Sequence, residues 1–181
     1  MKSQSWRLSQ IAAAAMIAAA YAVLTLLAAI PGLAYLPVQF RFSEALTILP
    51  AYLPAAVPGL TVGCLVANLF SSYGPADMIF GTAATFLAAL LSRFLRRFRI
   101  KGIPFLSFLP PVIVNAVIVG AEITFLSPKG FTSAEFLATA LSVGGSELLV
   151  LAVLGLPLSI LFEKNRFFIR LQKTLGYEAR P

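Results

Sequence analysis

The sequence lacks the residues that most often build catalytic and metal sites. It has no histidine and one cysteine, Cys64, among 181 residues. Disulfide pairing within the chain, thiolate or imidazole metal clusters and histidine-based triads are therefore excluded. Cys64 has no histidine base to activate it, so we interpret it as a small apolar residue inside a helix. We predict no metal site, no cofactor, no catalytic residue and no enzymatic activity.

Charge is also scarce. Charged residues make up 12% of the chain and hydrophobic residues 59%, with a mean hydropathy of +0.89, whereas soluble domains carry about 25% charge. The net charge is +7, but the basic residues cluster beside apolar segments, which indicates membrane topology and contact with anionic lipid, not nucleic-acid binding. The fold class predicted is an all-α membrane protein.

Apolar segments divide the chain into a bundle of six predicted transmembrane helices. They lie at about 8–30, 43–52, 56–72, 76–95, 103–125 and 132–162. The second is short, the fifth contains a kink or break at Pro110-Pro111, and the sixth must tilt, bend near Gly144-Gly145 or Pro157, or project beyond the membrane. Residues 1–163 form the predicted transmembrane domain, and residues 164–181 a basic, helical, cytoplasmic tail.

The positions of lysine and arginine predict the orientation, because short loops rich in these residues stay in the cytoplasm. They precede the first segment, separate the fourth from the fifth (93–101) and follow the sixth (164–180). Of the 14 such residues, only Arg41 and Lys129 lie elsewhere. Six crossings therefore place both termini in the cytoplasm.

Polar residues inside the apolar segments are candidate binding residues, because such groups are expensive in a membrane. The candidates, predicted to form a pocket that opens to the outside, are Arg41, Glu44, Asn68, Asp77, Asn115, Glu122 and Glu147. Structural roles are alternatives: Asp77 as a helix cap, Arg41 and Glu44 as an ion pair, and the two asparagines as helix-to-helix bridges. Glu122 is also near enough to the membrane surface to meet interfacial water.

Small residues follow one face of the first and third segments. Ala14 with Ala18, Ala15 with Ala19, and Gly59 with Gly63 have the spacing that lets helices approach closely. Packing within the bundle and docking of a partner subunit are the two interpretations. The sequence has no G-x-x-x-x-G-K-[ST] phosphate loop, so any dependence on ATP must come from partner proteins.

An ordered set of motifs resembles the queuosine-precursor transporter family, QueT. The set consists of QFRFSEAL at 39–46, Leu49-Pro50, GLTVGCLVAN at 59–68, Asp77 and FGTAAT at 80–85. Gly120-Ala121-Glu122 and Gly145-Ser146-Glu147 are looser correspondences. The resemblance implies a substrate-binding S component of an energy-coupling factor (ECF) transporter in a bacterial plasma membrane. Such a component joins a transmembrane coupling subunit and two cytoplasmic ATPases.

The resemblance also implies roles for residues. The cargo would be a deazaguanine-type base, whose N–H edge suits Glu44, Glu122 and Glu147, while Gln39 or Asn68 would meet its carbonyl and ring nitrogens. An aminomethyl derivative would add a cation that favours a second carboxylate. Helix-one alanines would contact the coupling subunit; the residues concerned are Ala14, Ala15, Ala18 and Ala19. The alternatives are an S component for another vitamin or nucleobase, a stand-alone proton-coupled carrier in which Glu147 titrates, and an intramembrane enzyme using Glu122 and Glu147.

Overall fold

The computed structural model describes residues 8–32, 34, 40–128 and 130–175. Within these ranges the chain is helical and contains no β-strand. The α-helices in chain order are α1 Leu8–Ala29, α2 Ala56–Asn68, α3 Pro75–Leu95, α4 Leu109–Leu126, α5 Ser133–Val150, α6 Leu156–Lys164 and α7 Arg166–Thr174. A 3-10 helix, Phe42–Ala51, follows α1, a 3-10 turn, Phe105–Phe108, leads into α4, and a π-helical turn, Leu151–Gly155, joins α5 to α6.

The all-helical prediction is confirmed. Four continuous helical stretches are long and apolar enough to cross a membrane: Leu8–Ala29, Pro75–Leu95, Phe105–Leu126 and Ser133–Lys164. Their apolar side chains point outward in large numbers, as expected where lipid replaces water as the surrounding medium.

The 3-10 helix Phe42–Ala51 lies at the centre of the bundle. All of its residues except Phe42 and Leu46 are buried, and it packs against α1, α2, α3 and α5. Ten residues are unusually many for a 3-10 helix, and at about 2.0 Å per residue they span about 20 Å. Pro50 near its end has no N–H to donate. The short second helix predicted from the sequence is therefore present, and it is a 3-10 helix, which is wound more tightly than an α-helix.

Two glycines of α2 bring it against α1. A Cβ on Gly59 would lie 2.8 Å from the carbonyl oxygen of Ala14, and one on Gly63 would lie 2.7 Å from that of Ala18. Both distances are too short for a methyl group, so glycine is required at both positions. The small-residue stripes of the two helices thus pack on each other within the bundle.

Prolines mark both irregular points in the later helices. Pro110 and Pro111 occupy the first turn of α4, where no N–H is needed, and the helix changes from 3-10 to α just before them. The long last helix contains the π-helical turn Leu151–Gly155 immediately before Pro157, between the two predicted bend positions. Pro157 has no N–H to donate to the carbonyl of residue 153, so the regular α-helical hydrogen bonding is interrupted there.

Helix α7 folds back on the bundle. The Phe168 ring stacks on Phe162 with centroids 4.1 Å apart, and the Gln172 amide donates to the carbonyl of Tyr52 at 3.2 Å. Residues 166–174 of the predicted tail are therefore helical and packed, and residues 176–181 lie outside the described part of the chain.

Candidate functional site

The bundle has two polar ends. We call the end containing Arg41, Asp77 and Glu122 the cavity end, and the end containing Tyr52, Ser92 and Ser159 the paired end. At the paired end each of these last three side chains has a hydrogen-bond partner. The cavity end contains most of the buried oxygens that lack one.

A cavity lies between the 3-10 helix, α4 and α5. Its lining consists of Arg41, Glu44, Asn115, Val119, Val143, Ser146 and Glu147. The empty space between these atoms, with its continuation into the surroundings included, is about 250 Å³.

Glu44 is held in the cavity wall by α1. The Tyr21 hydroxyl donates to Glu44 Oε1, and one turn along α1 the Thr25 hydroxyl donates to Ser43 Oγ at 2.6 Å. Glu44 Oε2 is buried and has no hydrogen-bond partner among the described residues. One oxygen thus fixes the carboxylate, and the other is left to accept a hydrogen bond.

Glu147 faces Glu44 from the middle of α5. It is 6% exposed, its Oε1 also lacks a hydrogen-bond partner within the described chain, and the Asn115 side chain of α4 interacts with its carboxylate. Burying a carboxylate oxygen without a donor is costly. Two such oxygens in one cavity indicate a site built to receive hydrogen-bond donors.

Arg41 joins the 3-10 helix to α3. Its Nη2 donates to Asp77 Oδ2 at 3.1 Å, with both side chains almost fully buried, and its Nε donates to the carbonyl of Ala34 at 2.8 Å. Arg41 therefore forms its salt bridge with Asp77, not with Glu44 as one alternative had it. Asp77 lies in the first turn of α3, where a carboxylate complements the helix N-terminus, so the salt bridge does not exclude its alternative role at the start of this helix.

Asn68 bridges two helices. Its amide donates to the carbonyl of Asp77 at 2.8 Å and to the Cys64 sulfur at 3.4 Å. Asn68 therefore ties α2 to α3, as the structural alternative for it predicted, and it does not line the cavity. Cys64 is buried among the helices and also receives the Thr85 hydroxyl at 3.2 Å.

Glu122 lies on α4, seven residues beyond Asn115. It is 4% exposed, and neither of its carboxylate oxygens has a hydrogen-bond partner among the described residues. The charged groups that act on it are Asp77 and Arg41. Glu122 is not part of the cavity wall itself.

Four of the predicted site residues line the cavity together: Arg41, Glu44, Asn115 and Glu147. Asn68, Asp77 and Glu122 lie at the same end of the bundle, outside the wall, and Gln39 lies outside the described residues. Sequence reasoning did not predict the hydrogen bond from Tyr21 to Glu44, nor that Ser146 and the two valines belong to the wall. Val119 could have been found because it lies one helical turn from Asn115.

The four alanines predicted to contact a partner divide into two pairs. Ala14 and Ala18 are partly buried against the glycines of α2, whereas Ala15 and Ala19 are exposed. A metal site has no support in the described part of the chain, where no three histidine, cysteine, aspartate or glutamate side chains come together.

Comparison with known proteins gives two matches. Residues 11–164 match the model of a family described as QueT transporter. The queuosine precursor transporter QueT of Lactococcus lactis subsp. cremoris (strain MG1363) is 34% identical over 71 residues, which are 39% of this chain and 41% of that protein. The match thus spans less than half the length of this relative. No solved structure matches significantly.

Proposed function

Since this chain belongs to the QueT transporter family, we propose that it binds a queuosine precursor, a 7-deazaguanine-type base, in the cavity between Glu44 and Glu147. As a member of this family it is a transport protein and not an enzyme. The relative in Lactococcus lactis is named for the transport of such a precursor. In this proposal the chain is the substrate-binding S component of an ECF importer.

The observation that carries the proposal is the pair of buried carboxylates facing one cavity. Glu44 Oε2 and Glu147 Oε1 are free of hydrogen bonds from the described residues. The guanine-like edge of a deazaguanine presents adjacent N–H donors, and a carboxylate can accept two of them in a charge-assisted fork. Donors from the base would therefore satisfy the oxygens that the protein leaves unpaired.

The distribution of positive charge supports an orientation with the cavity end outside. The basic residues of the segment 93–101 and of α6 and α7 all lie at the paired end, as expected for a cytoplasmic surface. In a six-crossing arrangement, the 3-10 helix Phe42–Ala51 and α2 supply the two short crossings. Each is about 20 Å long, shorter than the hydrocarbon core of about 30 Å. Neighbouring helices enclose the 3-10 helix, whereas α2 keeps one exposed apolar face that includes Val62 and Val66.

Partner subunits complete the proposal. The chain has no phosphate loop, so two cytoplasmic ATPases and a transmembrane coupling subunit would supply the energy. Ala15 and Ala19 are the members of the alanine set whose exposure suits contact with the coupling subunit, because small residues permit close helix packing.

Binding by the purified chain tests the proposal. We expect 7-deazaguanine bases to bind with micromolar or better affinity in titration calorimetry. Glu147→Gln and Glu44→Gln should each weaken binding tenfold or more, because an amide oxygen accepts less strongly than a carboxylate and its NH₂ group opposes the N–H donors of the base.

Glu135→Gln is the matched control, since Glu135 lies at the start of α5 and accepts from Ser127 at 2.7 Å, away from the cavity. Its affinity should equal that of the unmodified chain. Binding of another vitamin in place of any deazaguanine would reject the cargo. Equal affinities in all variants would reject the site.

A stand-alone proton-coupled carrier is the second candidate, and the buried Glu147 carboxylate without a cationic partner favours it. Uptake by proteoliposomes that contain only this chain, driven by a pH gradient and lost in Glu147→Gln, would support it. Uptake that occurs only with ATP and the partner subunits would exclude it.

A further inference from the structure

The cavity end has too little positive charge for its carboxylates. Among its described residues, one guanidinium, Arg41, stands against four buried carboxylates, those of Glu44, Asp77, Glu122 and Glu147. Arg41 forms its salt bridge with Asp77. Tyr21 and Asn115 supply partial compensation to Glu44 and Glu147. Glu122 receives no hydrogen bond from any described residue.

Glu122 continues the helical stripe that lines the cavity. Asn115 and Val119 are wall residues on α4, and position 122 follows them at the same i, i+4, i+7 spacing. The rise of about 1.5 Å per residue places Glu122 about 10 Å beyond Asn115 along the helix axis. It therefore lies farther toward the end of the bundle than the wall does.

The burial of Glu122 requires a partner whatever its protonation state. An ionised carboxylate buried without a counter-charge is strongly unfavourable, and a protonated carboxyl would still hold an unpaired O–H donor and an unpaired acceptor. The apolar side chains of Val119, Ile123 and Ala84 form the packed cluster beside it. These three side chains offer no donor. Tyr73 packs against the same cluster and interacts electrostatically with Glu122, but its hydroxyl forms no hydrogen bond with either carboxylate oxygen.

We propose that Glu122 forms an outer subsite that binds a positively charged group, separate from the part of the cavity wall formed by Glu44 and Glu147. The chemistry is that of a monovalent cation, either a primary ammonium carried by the ligand or a small inorganic cation bound beside it. A divalent metal is disfavoured, because no cluster of three candidate ligands occurs among the described residues. The inference rests on the proposed function, in which Glu44 and Glu147 bind the base.

Calorimetry on the purified full chain separates the two sources of charge. The ligands are 7-deazaguanine, which is neutral, and its 7-aminomethyl derivative, which is a cation. Each ligand is titrated into four proteins: the unmodified chain, Glu122→Gln, Glu122→Asp and the control Glu135→Gln. Every titration is done twice, once in buffer containing Na⁺ and once in buffer whose only cation is a bulky organic one. Melting temperatures establish that each variant is folded.

If the ligand supplies the charge, the unmodified chain prefers the aminomethyl compound, and Glu122→Gln loses tenfold or more in affinity for it with less than a twofold change for the neutral base. Glu122→Asp should keep part of the preference. If an inorganic cation supplies the charge, Na⁺ raises the affinity for the neutral base at least threefold, and Glu122→Gln removes that rise. Either result supports the outer subsite.

The inference is overturned if Glu122→Gln leaves both the preference and the Na⁺ effect equal to those of the unmodified chain. That outcome leaves the proposed function intact, provided that the unmodified chain binds the bases and Glu147→Gln weakens their binding tenfold or more. If no deazaguanine binds to the unmodified chain, the proposed function fails, and melting temperatures decide the inference. A melting temperature that rises with Na⁺ in the unmodified chain but not in Glu122→Gln supports the inference. A melting temperature that does not respond to Na⁺ rejects it.

Discussion

The two polar ends of the bundle satisfy their buried groups differently. At the paired end, Ser92 and Ser107 each donate to the other's carbonyl, at 2.9 and 2.7 Å, and the hydroxyls of Tyr52 and Ser159 lie 2.6 Å apart. At the cavity end, oxygens of Glu44, Glu122 and Glu147 have no partner within the described chain.

This difference separates residues that hold the helices together from residues that, in the proposed function, bind the ligand. An unsatisfied buried polar group costs about 1–3 kcal/mol of stability. A site that binds by hydrogen bonding has to carry that cost while it is empty. Substitutions at the paired end should therefore change stability alone, and those that remove an unpaired carboxylate at the cavity end should weaken binding while they increase stability.

The largest loss of stability should come from Arg41→Met. It leaves Asp77 buried without its guanidinium, and breaking a buried ion pair in this way costs about 3–5 kcal/mol. The free energy of unfolding in mixed detergent and SDS micelles measures the loss. Adding Asp77→Asn should restore at least half of it, and an unchanged loss in the double variant would show that the salt bridge is not the reason.

Removing the charge of Glu147 should stabilise the empty protein. Glu147→Gln keeps the shape of the side chain and replaces a buried carboxylate by a neutral amide, whose burial costs less although one of its polar atoms still lacks a partner, so unfolding should become harder by on the order of 2 kcal/mol. The same variant loses affinity for the base. A lower melting temperature than that of the unmodified chain would contradict the assignment of Glu147 to a ligand.

At the paired end, Ser107→Ala should destabilise the fold by about 1 kcal/mol, because it removes one of the two serine-to-carbonyl hydrogen bonds between α3 and the turn before α4. Affinity for the base should stay the same. Weakened binding in this variant would show that the two ends do not act independently.

The smallest effect should come from Glu163→Gln. Glu163 Oε1 accepts from Arg99 Nη1 at 2.6 Å, and both side chains are partly exposed, at 32% and 25%. Pairs of this kind are worth about 0–1 kcal/mol, and added salt should reduce the difference further. Unfolding measured at low and high salt tests this, and a loss above 2 kcal/mol would place the pair among the structural contacts of the paired end.

The positions of the helices were largely predictable, because long apolar runs bounded by charge and proline define them. The type of each helical segment, 3-10, α or π, was not predictable. Residues 42–51 form a buried 3-10 helix that packs against several other helices, and no local pattern in the segment predicts that winding. The π-helical turn at 151–155 was likewise missed, although Pro157 indicated a disturbance near it.

The site was partly predictable for a similar reason. Rare polar residues in apolar segments identified the set, and four of them do line one cavity. Their partners depend on how the helices pack: Arg41 lies three residues from Glu44 in the sequence, yet it forms its salt bridge with Asp77, 36 residues away. Tyr21, which fixes Glu44, is an ordinary aromatic residue in the sequence of α1, and only the packing assigns it a role.

The 3-10 winding of Phe42–Ala51 also sets a mechanical length. Ten residues wound as an α-helix would be about 5 Å shorter, and the last residue would be turned by about half a revolution relative to the first. Tyr52 directly follows this segment, and its carbonyl accepts from Gln172 of α7. The winding of the segment therefore fixes the distance and the rotation between the cavity-facing carboxylate of Glu44 near its start and the contact with α7 at its end.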